Sequence, residues 1–273
     1  MSRSLSALES KLILRMEWEK KKVIDVNSTA QILGISAEYA RVVLHRLDSD
    51  HWLKQIVPGQ YELIPVERGE HAFPDTNPFF IGSHLVSPYY FSYATSGYHH
   101  GLTTQSPGRI YIATKDGFTR MRIVRGNEYQ VVNLPEAKFF GFTEVDAYGQ
   151  PVQMAEIEKT ILDSLDRPQY AGDIPEVATM LWRGRNRLNW EKLSLQAEPF
   201  GSKSLNQRLG YLLNTLNLEI PAPALNRLAA GGGRTTCYLG ALSRWGKGGD
   251  FDPTWNVVDN IPRTVLLADT GNV

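Results

Sequence analysis

The segment Val26–Trp52, VNSTAQILGISAEYARVVLHRLDSDHW, restricts the fold of this chain more than any other, because it splits into two short amphipathic runs at Gly34-Ile35-Ser36. Asn27 and Ser28 stand where an N-cap is wanted ahead of the apolar Ala30, Ile32 and Leu33, and Gly34 offers the left-handed backbone that ends such a helix. Ser36 then caps a second helix in which Ala40, Val43, Leu44 and Leu47 recur at i, i+3, i+4 and i+7 and form one buried stripe. The spacing predicts a helix-turn-helix.

The opposite face carries Glu38, Tyr39, Arg41, Val42, His45 and Arg46, a mixture of charged, hydrogen-bonding and apolar groups suited to phosphates and base edges in a major groove. Two β-prone runs, Trp52–Val57 and Tyr61–Ile64, then flank Pro58-Gly59-Gln60 and predict a hairpin. That order is the order of a winged helix. The expected DNA contacts are Ser28, Ser36, Tyr39, Arg41, Val42, His45 and Arg46, with Lys54 and Gln60 of the wing approaching the backbone or minor groove. Winged helices also serve as protein-docking or structural modules, so the pattern alone leaves that alternative open. Upstream, Leu5, Leu8, Leu12, Ile13 and Met16 predict a first helix from Ser4 to about Lys22 that covers the other two. Arg3, Lys11, Arg15 and Lys20-Lys21-Lys22 fit a solvated face and a last turn that favours the helix dipole, and for the lysine run phosphate contact fits equally.

At 273 residues the chain exceeds the usual single-domain size. Residues 65–88 are rich in Pro, Gly, Asp and Asn, which predicts a linker or extended crossing and a division into residues 1–70 and 71–273, with a possible sub-lobe from about residue 190. No apolar run approaches membrane-spanning length and MSRSLSALESK lacks the apolar core of a secretory signal, so a soluble, cytoplasmic protein is expected. The lone Cys237 excludes an internal disulfide and a multi-cysteine zinc site. Formal net charge is zero, with ten basic and ten acidic residues in the first seventy and nineteen of each in the rest. Such a balance argues against a nonspecific nucleic-acid coat and leaves room for a specific reader with one local basic face.

In the remainder, Tyr90, Ala94, Tyr98 and Leu102 sit at helical spacing. Short alternating runs at 109–114, 118–124, 128–134 and 138–145, separated by turn residues, predict an antiparallel meander. After Pro151 the period becomes helical, with helices expected around 154–165, 174–182 and 205–216 and strand-like pieces at 235–239 and 265–267. The expected class is α+β, a winged helix followed by a larger mixed domain.

Candidate chemistry is sparse. His99-His100 cannot easily share one ion, because adjacent helical residues point about 100° apart, and a helix C-terminus accounts for them. Asp116 with Glu136-Ala137-Lys138 matches the spacing of a magnesium-dependent nuclease, although Glu136 follows Pro135 at a turn. Glu156, Glu158, Lys159 and Asp163 read as solvated i, i+3 and i, i+4 pairs. Gly231-Gly232-Gly233-Arg234-Thr235-Thr236 could cradle a phosphate, lacks the Gly-Lys-Ser/Thr of a P-loop, and serves equally as a flexible connection. Cys237 reads as a small core residue. Nothing commits the chain to catalysis, a metal or a cofactor.

The words His84-Leu85-Val86-Ser87-Pro88-Tyr89-Tyr90-Phe91-Ser92-Tyr93-Ala94-Thr95, His99-His100-Gly101-Leu102-Thr103-Thr104-Gln105 and Glu158-Lys159-Thr160-Ile161-Leu162-Asp163 resemble the AbiEi antitoxin family. Ser204-Leu205, Arg208-Leu209-Gly210 with Leu213, and the stretch from Asp252 to Asn260 around Trp255, are similar to it too, so that the likeness covers nearly the whole chain. It marks His99, His100, Gly101, Thr104 and Gln105 as a family motif without an assigned role. The resemblance implies a transcriptional autorepressor of a toxin-antitoxin or phage-defence locus that binds inverted repeats in its own promoter. It further implies an AbiEii-like nucleotidyltransferase toxin opposed without a stable complex, and a second domain needed for antitoxicity and cooperative self-association on DNA. This chain is longer than the shorter members from about Trp190 onward. Some relatives carry nuclease-like domains, which keeps a metal-dependent nuclease as the alternative beside a protein-interaction component of a defence system.

Overall fold

A strand ending in Asp25 runs directly into the first helix of the turn motif, and Asp25 is what starts that helix. Its Oδ1 accepts from the Ser28 backbone N–H at 2.8 Å and its Oδ2 from the Ser28 hydroxyl at 2.8 Å. The expected N-cap at Asn27 and Ser28 is therefore corrected by two to three residues: a carboxylate accepts both bonds more strongly than a neutral cap, so the helix begins earlier. The computed structural model describes residues 4–65 and 73–270. The chain divides into two units, Met1–Leu85 with Ile123–Asn127, and Val86–Arg122 with Glu128–Val273; the boundary expected near Glu70 lies outside the described residues. The class is mixed α+β with several sheets.

In the first unit the order is α1 (Ala7–Trp18), β1 (Val23–Asp25), α2 (Val26–Leu33), α3 (Ala37–Ser49), β2 (Leu53–Val57), β3 (Gln60–Leu63) and α4 (Pro78–Ser83). α1 is shorter than expected at both ends, because Ser6 and Glu9 close a capping box and Glu19 forms the C-cap, with Lys20 beyond it at φ 53°. Gly34 ends α2 at φ 69°, and the Ser36 hydroxyl accepts from Tyr39 N–H at 3.2 Å to start α3. Gly59, at φ 85°, turns the hairpin. β1, which the sequence did not announce, pairs antiparallel with β3 to complete a three-stranded sheet in the order β1-β3-β2. One apolar core joins Leu12, Ile13 and Met16 of α1 to Leu33, to the expected stripe Ala40, Val43, Leu44 and Leu47, and to Leu53 and Leu63 of the sheet. Part of the stretch read as a linker is α4, started by the Asn77 side chain and Pro78. The Glu62 carboxylate, buried on β3, takes Asp75 N–H at 2.6 Å and an ion pair from Arg125.

The second unit contains β4 (Tyr90–Phe91), α5 (Tyr93–His99), β5 (Ile110–Thr114), most of β6 (Arg120–Val124) and β7 (Asn127–Asn133), then β8 (Phe142–Asp146), β9 (Pro151–Ala155), α6 (Ile157–Asp166), α7 (Ile174–Gly184), α8 (Trp190–Ala197), α9 (Lys203–Thr215), α10 (Ala222–Gly231), β10 (Cys237–Tyr238), α11 (Leu242–Trp245), β11 (Asp250–Asp252), β12 (Val257–Asp259) and α12 (Arg263–Leu266). The expected antiparallel meander is corrected: the sheet order is β6-β7-β5-β4-β9-β8, with β5–β7 and β4–β9 parallel. Regular turn spacing locates strands but does not choose their partners, and here the two-residue β4 inserts between β5 and β9. Tyr90 is thus a strand residue rather than the start of a helix, Met154 belongs to β9, and Val265 sits in a helical turn.

One core unites Ile161, Leu162 and Leu165 of α6 with Val177 and Leu181 of α7, Leu205, Leu209, Leu212 and Leu213 of α9, and Trp255. The stretch from residue 190 shares this core rather than building its own. Close approach sets one requirement inside it: a Cβ on Gly210 would stand 2.3 Å from three atoms of the Trp255 ring. No helix among the described residues is long and apolar enough to cross a membrane.

Candidate nucleic-acid interface

With Ala40, Val43, Leu44 and Leu47 locked in the core, helical geometry turns the other side of α3 outward. Ser36, Glu38, Tyr39, Arg41, Val42, His45 and Arg46 are all exposed, with Tyr39 and Val42 at 45% and 43%. Arg41, His45 and Arg46 enter no ion pair among the described residues. Glu38 differs. Its own backbone N–H, then the Ser36 hydroxyl, hold its carboxyl below the usual carboxylate range, which fixes a negative charge at the start of the helix. The attraction for an anionic partner is therefore concentrated on the middle and later turns, at Arg41 and Arg46.

A crevice of about 470 Å³ opens beside α3, lined by Asp25, Val26 and Asn27 of the α2 start, Arg41, and Pro58, Gly59 and Gln60 of the hairpin turn. The Gln60 side-chain oxygen is buried there without a hydrogen-bond partner among the described residues. The structure thus brings Arg41 and Gln60 to one place. Lys54 is exposed but pairs with Asp48 at 3.7 Å, and Asp48 also accepts Gln55 N–H, which fixes β2 against the end of α3. Ser28 is placed differently from the expectation: partly buried, it spends its hydroxyl proton on Asp25. Asp25, Asn27 and the Pro58-Gly59 backbone were missed as lining residues, because only the fold brings the α2 start to the hairpin turn. Of the lysine run, Lys21 pairs with Glu19.

The motif in the second unit is architectural in its contacts. His100 bonds through Nε2 to the Ala155 carbonyl at 2.7 Å, Gly101 stops α5 at φ 66°, and Leu102 and Thr103 are buried while His99, Thr104 and Gln105 remain exposed. Burial lowers both imidazoles below their ordinary range. The pair Lys159–Asp163 is the larger correction. The expected solvated i, i+4 contact lies on the innermost side of α6, fully buried. Asp163 also accepts from Tyr90 at 3.0 Å and Ser92 at 2.7 Å, and the Lys159 ammonium stands 4.7–5.4 Å from the rings of Phe200, Phe140 and Tyr90. Burial draws the ammonium pKa down against the pull of Asp163. The nuclease constellation is not assembled: Glu136–Lys138 is a 3₁₀ turn rather than a strand, Glu136 pairs with Lys115, and the Lys138 ammonium lies 2.8 and 2.9 Å from the Asp166 oxygens. Among the described residues no group of three His, Cys, Asp or Glu side chains could hold a metal.

No family model matches the chain, and no curated protein matches it. Among solved structures it is similar to the crystal structure of the RV2827C protein from Mycobacterium tuberculosis, at 19% identity and a TM-score of 0.66 over 99% of this chain and 97% of that one. At that identity the likeness shows a shared fold and nothing further.

Proposed function

We propose that the chain is a sequence-specific DNA-binding repressor whose first unit acts as a winged helix-turn-helix. The observation that carries this reading is the outward face of α3, where Tyr39, Arg41, Val42, His45 and Arg46 are exposed together beside a crevice that Arg41 shares with the hairpin turn. α3 enters the major groove of double-stranded DNA, Arg41 and Arg46 supply bidentate donors to guanine edges or phosphates, and Lys54 and Gln60 meet the backbone. With a balanced net charge, affinity rests on these contacts more than on a bulk basic field. The resemblance to AbiEi antitoxins extends the proposal to autorepression at inverted repeats in the chain's own promoter, in opposition to a nucleotidyltransferase toxin from the same locus.

Fluorescence anisotropy with duplexes from upstream of the gene tests it. Saturable binding that competitor DNA does not displace is expected. Arg41→Ala and Arg46→Ala should each cost about 1–3 kcal/mol of operator affinity if they read bases, relaxing preference at one position. A double variant that binds the operator undiminished would falsify the assignment of this face.

A further inference from the structure

Gln60 opens β3 directly after the turn glycine, and backbone bonds fix its place. It stands opposite Asp25 in the β1–β3 register, and Val26 N–H donates to the Gly59 carbonyl at 3.2 Å, which ties the hairpin turn to the first residue of α2. α2 in turn shares an apolar core with α3 through Leu33. The backbone of Gln60 and the helix that carries Arg41 are therefore parts of one packed body.

The carboxamide on that backbone is incompletely satisfied. Its Oε1 is buried with no hydrogen-bond partner among the described residues, a costly state for an acceptor. A phosphate oxygen cannot relieve it, because both atoms only accept. Arg41 can. Both side chains line the crevice of about 470 Å³, and Arg41 enters no ion pair among the described residues. The guanidinium carries five N–H donors in a planar fork, enough to give one to Gln60 and a parallel pair to another group. Asp25, on the same wall with both oxygens already taken by Ser28, adds a negative charge that favours a guanidinium there.

We propose that Gln60 is the positioning residue for Arg41, a role that rests on the winged-helix reading of the first unit. On DNA its Oε1 accepts from the Arg41 guanidinium and its Nε2 donates to a phosphate. One carboxamide thus joins the backbone contact of the hairpin turn to the base contact of α3. The remaining donors of Arg41 are aimed as a pair at O6 and N7 of one guanine. Gln60 touches no base and sets specificity through Arg41.

Fluorescence anisotropy with the operator duplex, and with duplexes changed one base pair at a time, tests this; the position that Arg41 reads is the one at which Arg41→Ala loses its preference. Gln60→Ala should lower discrimination there by about threefold to tenfold, the worth of one hydrogen bond, and leave it unchanged elsewhere. In an Arg41→Ala background the same change should leave discrimination untouched. Two further variants separate the two ends of the carboxamide. In Gln60→Lys an ammonium still meets phosphate but accepts nothing and repels Arg41, so affinity for every duplex should hold or rise while discrimination at the Arg41 position falls. Gln60→Glu keeps an acceptor for Arg41 and repels phosphate, so affinity should fall for every duplex while discrimination stays. A folding defect would lower both together, so these opposite splits exclude one. Full discrimination in Gln60→Lys, a Gln60→Ala loss spread equally over all positions, or an Arg41→Ala variant that loses preference at none would each overturn the proposal and leave the winged-helix reading in place. An unaltered chain that prefers no duplex over competitor DNA overturns both.

Discussion

At the scale of single residues, the buried Lys159–Asp163 pair is the most consequential feature of the second unit. Two charges out of water remain tolerable because each is compensated: Asp163 takes Tyr90 and Ser92 as well as the ammonium, and three aromatic faces surround Lys159. Burial, with Asp163 beside it, pushes the Tyr90 phenol well above its ordinary range and keeps it a donor. Asp163→Ala would strand a buried ammonium and should cost about 3–5 kcal/mol in urea unfolding, whereas Lys159→Met with Asp163→Leu should recover most of that loss. A single variant as stable as the unaltered protein would show that the charge is not held there. None of this depth was legible in the sequence, since an i, i+4 Lys–Asp pair reads the same on a wet face and in a core. His100 offers a second residue-scale test. Its folded pKa is depressed by burial, so as pH falls below about 6.5 the unfolded chain takes up a proton before the folded chain does. Stability should therefore be full above that value and decline as pH drops toward the depressed one. His100→Gln should flatten the decline between pH 7.5 and pH 5.5 in denaturant melts, and an unchanged slope would assign it to other groups.

At the scale of elements, periodicity and caps carried most of the information. The α3 stripe, the Gly34 stop and the Ser36 start stand where the sequence put them, because local chemistry decides each. β4 and β9 were illegible for the opposite reason: two- and five-residue strands derive their existence from partners distant in sequence, Ala113 for Tyr90 and Phe91 for Met154. Two glycines separate local from tertiary control. Gly34 has nothing within 4 Å of a built Cβ, so Gly34→Ala meets only left-handed backbone strain and should cost about 1–2 kcal/mol. Gly210 sits in ordinary helix but faces the Trp255 ring at 2.3 Å, so Gly210→Ala should exceed the common overpacking cost of about 1–3 kcal/mol. Thermal melts of the two variants should rank in that order, and the reverse would mean that Trp255 moves aside at little cost.

At the scale of the whole molecule, the expected two-part organisation omits one thing that no linear reading could supply: the first unit is discontinuous and draws residues 123–127 from a hairpin far along the chain. The segment is held by chemistry as well as proximity. Arg125 pairs with Glu62, which is 3% exposed, and donates to the Asp75 carbonyl at 2.8 Å. Its turn is built for the task, since Arg125 and Gly126 both take positive φ, as the tightest hairpins require. The turn between the runs at 118–124 and 128–134 was legible in the sequence, but nothing there showed that Glu62, in an ordinary strand pattern, would bury its charge against it. Arg125→Ala leaves that carboxylate unpaired and should destabilise the first unit by about 3–5 kcal/mol, whereas Glu62→Gln in the same chain should restore much of the loss, because a neutral amide still accepts from Asp75 N–H. Native-state hydrogen exchange locates the effect. Amides of α3, such as Leu44 and Leu47, should lose protection while those of α9, such as Leu209 and Leu212, keep theirs, because each set belongs to its own apolar core. Equal loss in both helices would mean that the two cores unfold as one cooperative body and that Arg125 secures the whole chain rather than the unit that carries α3.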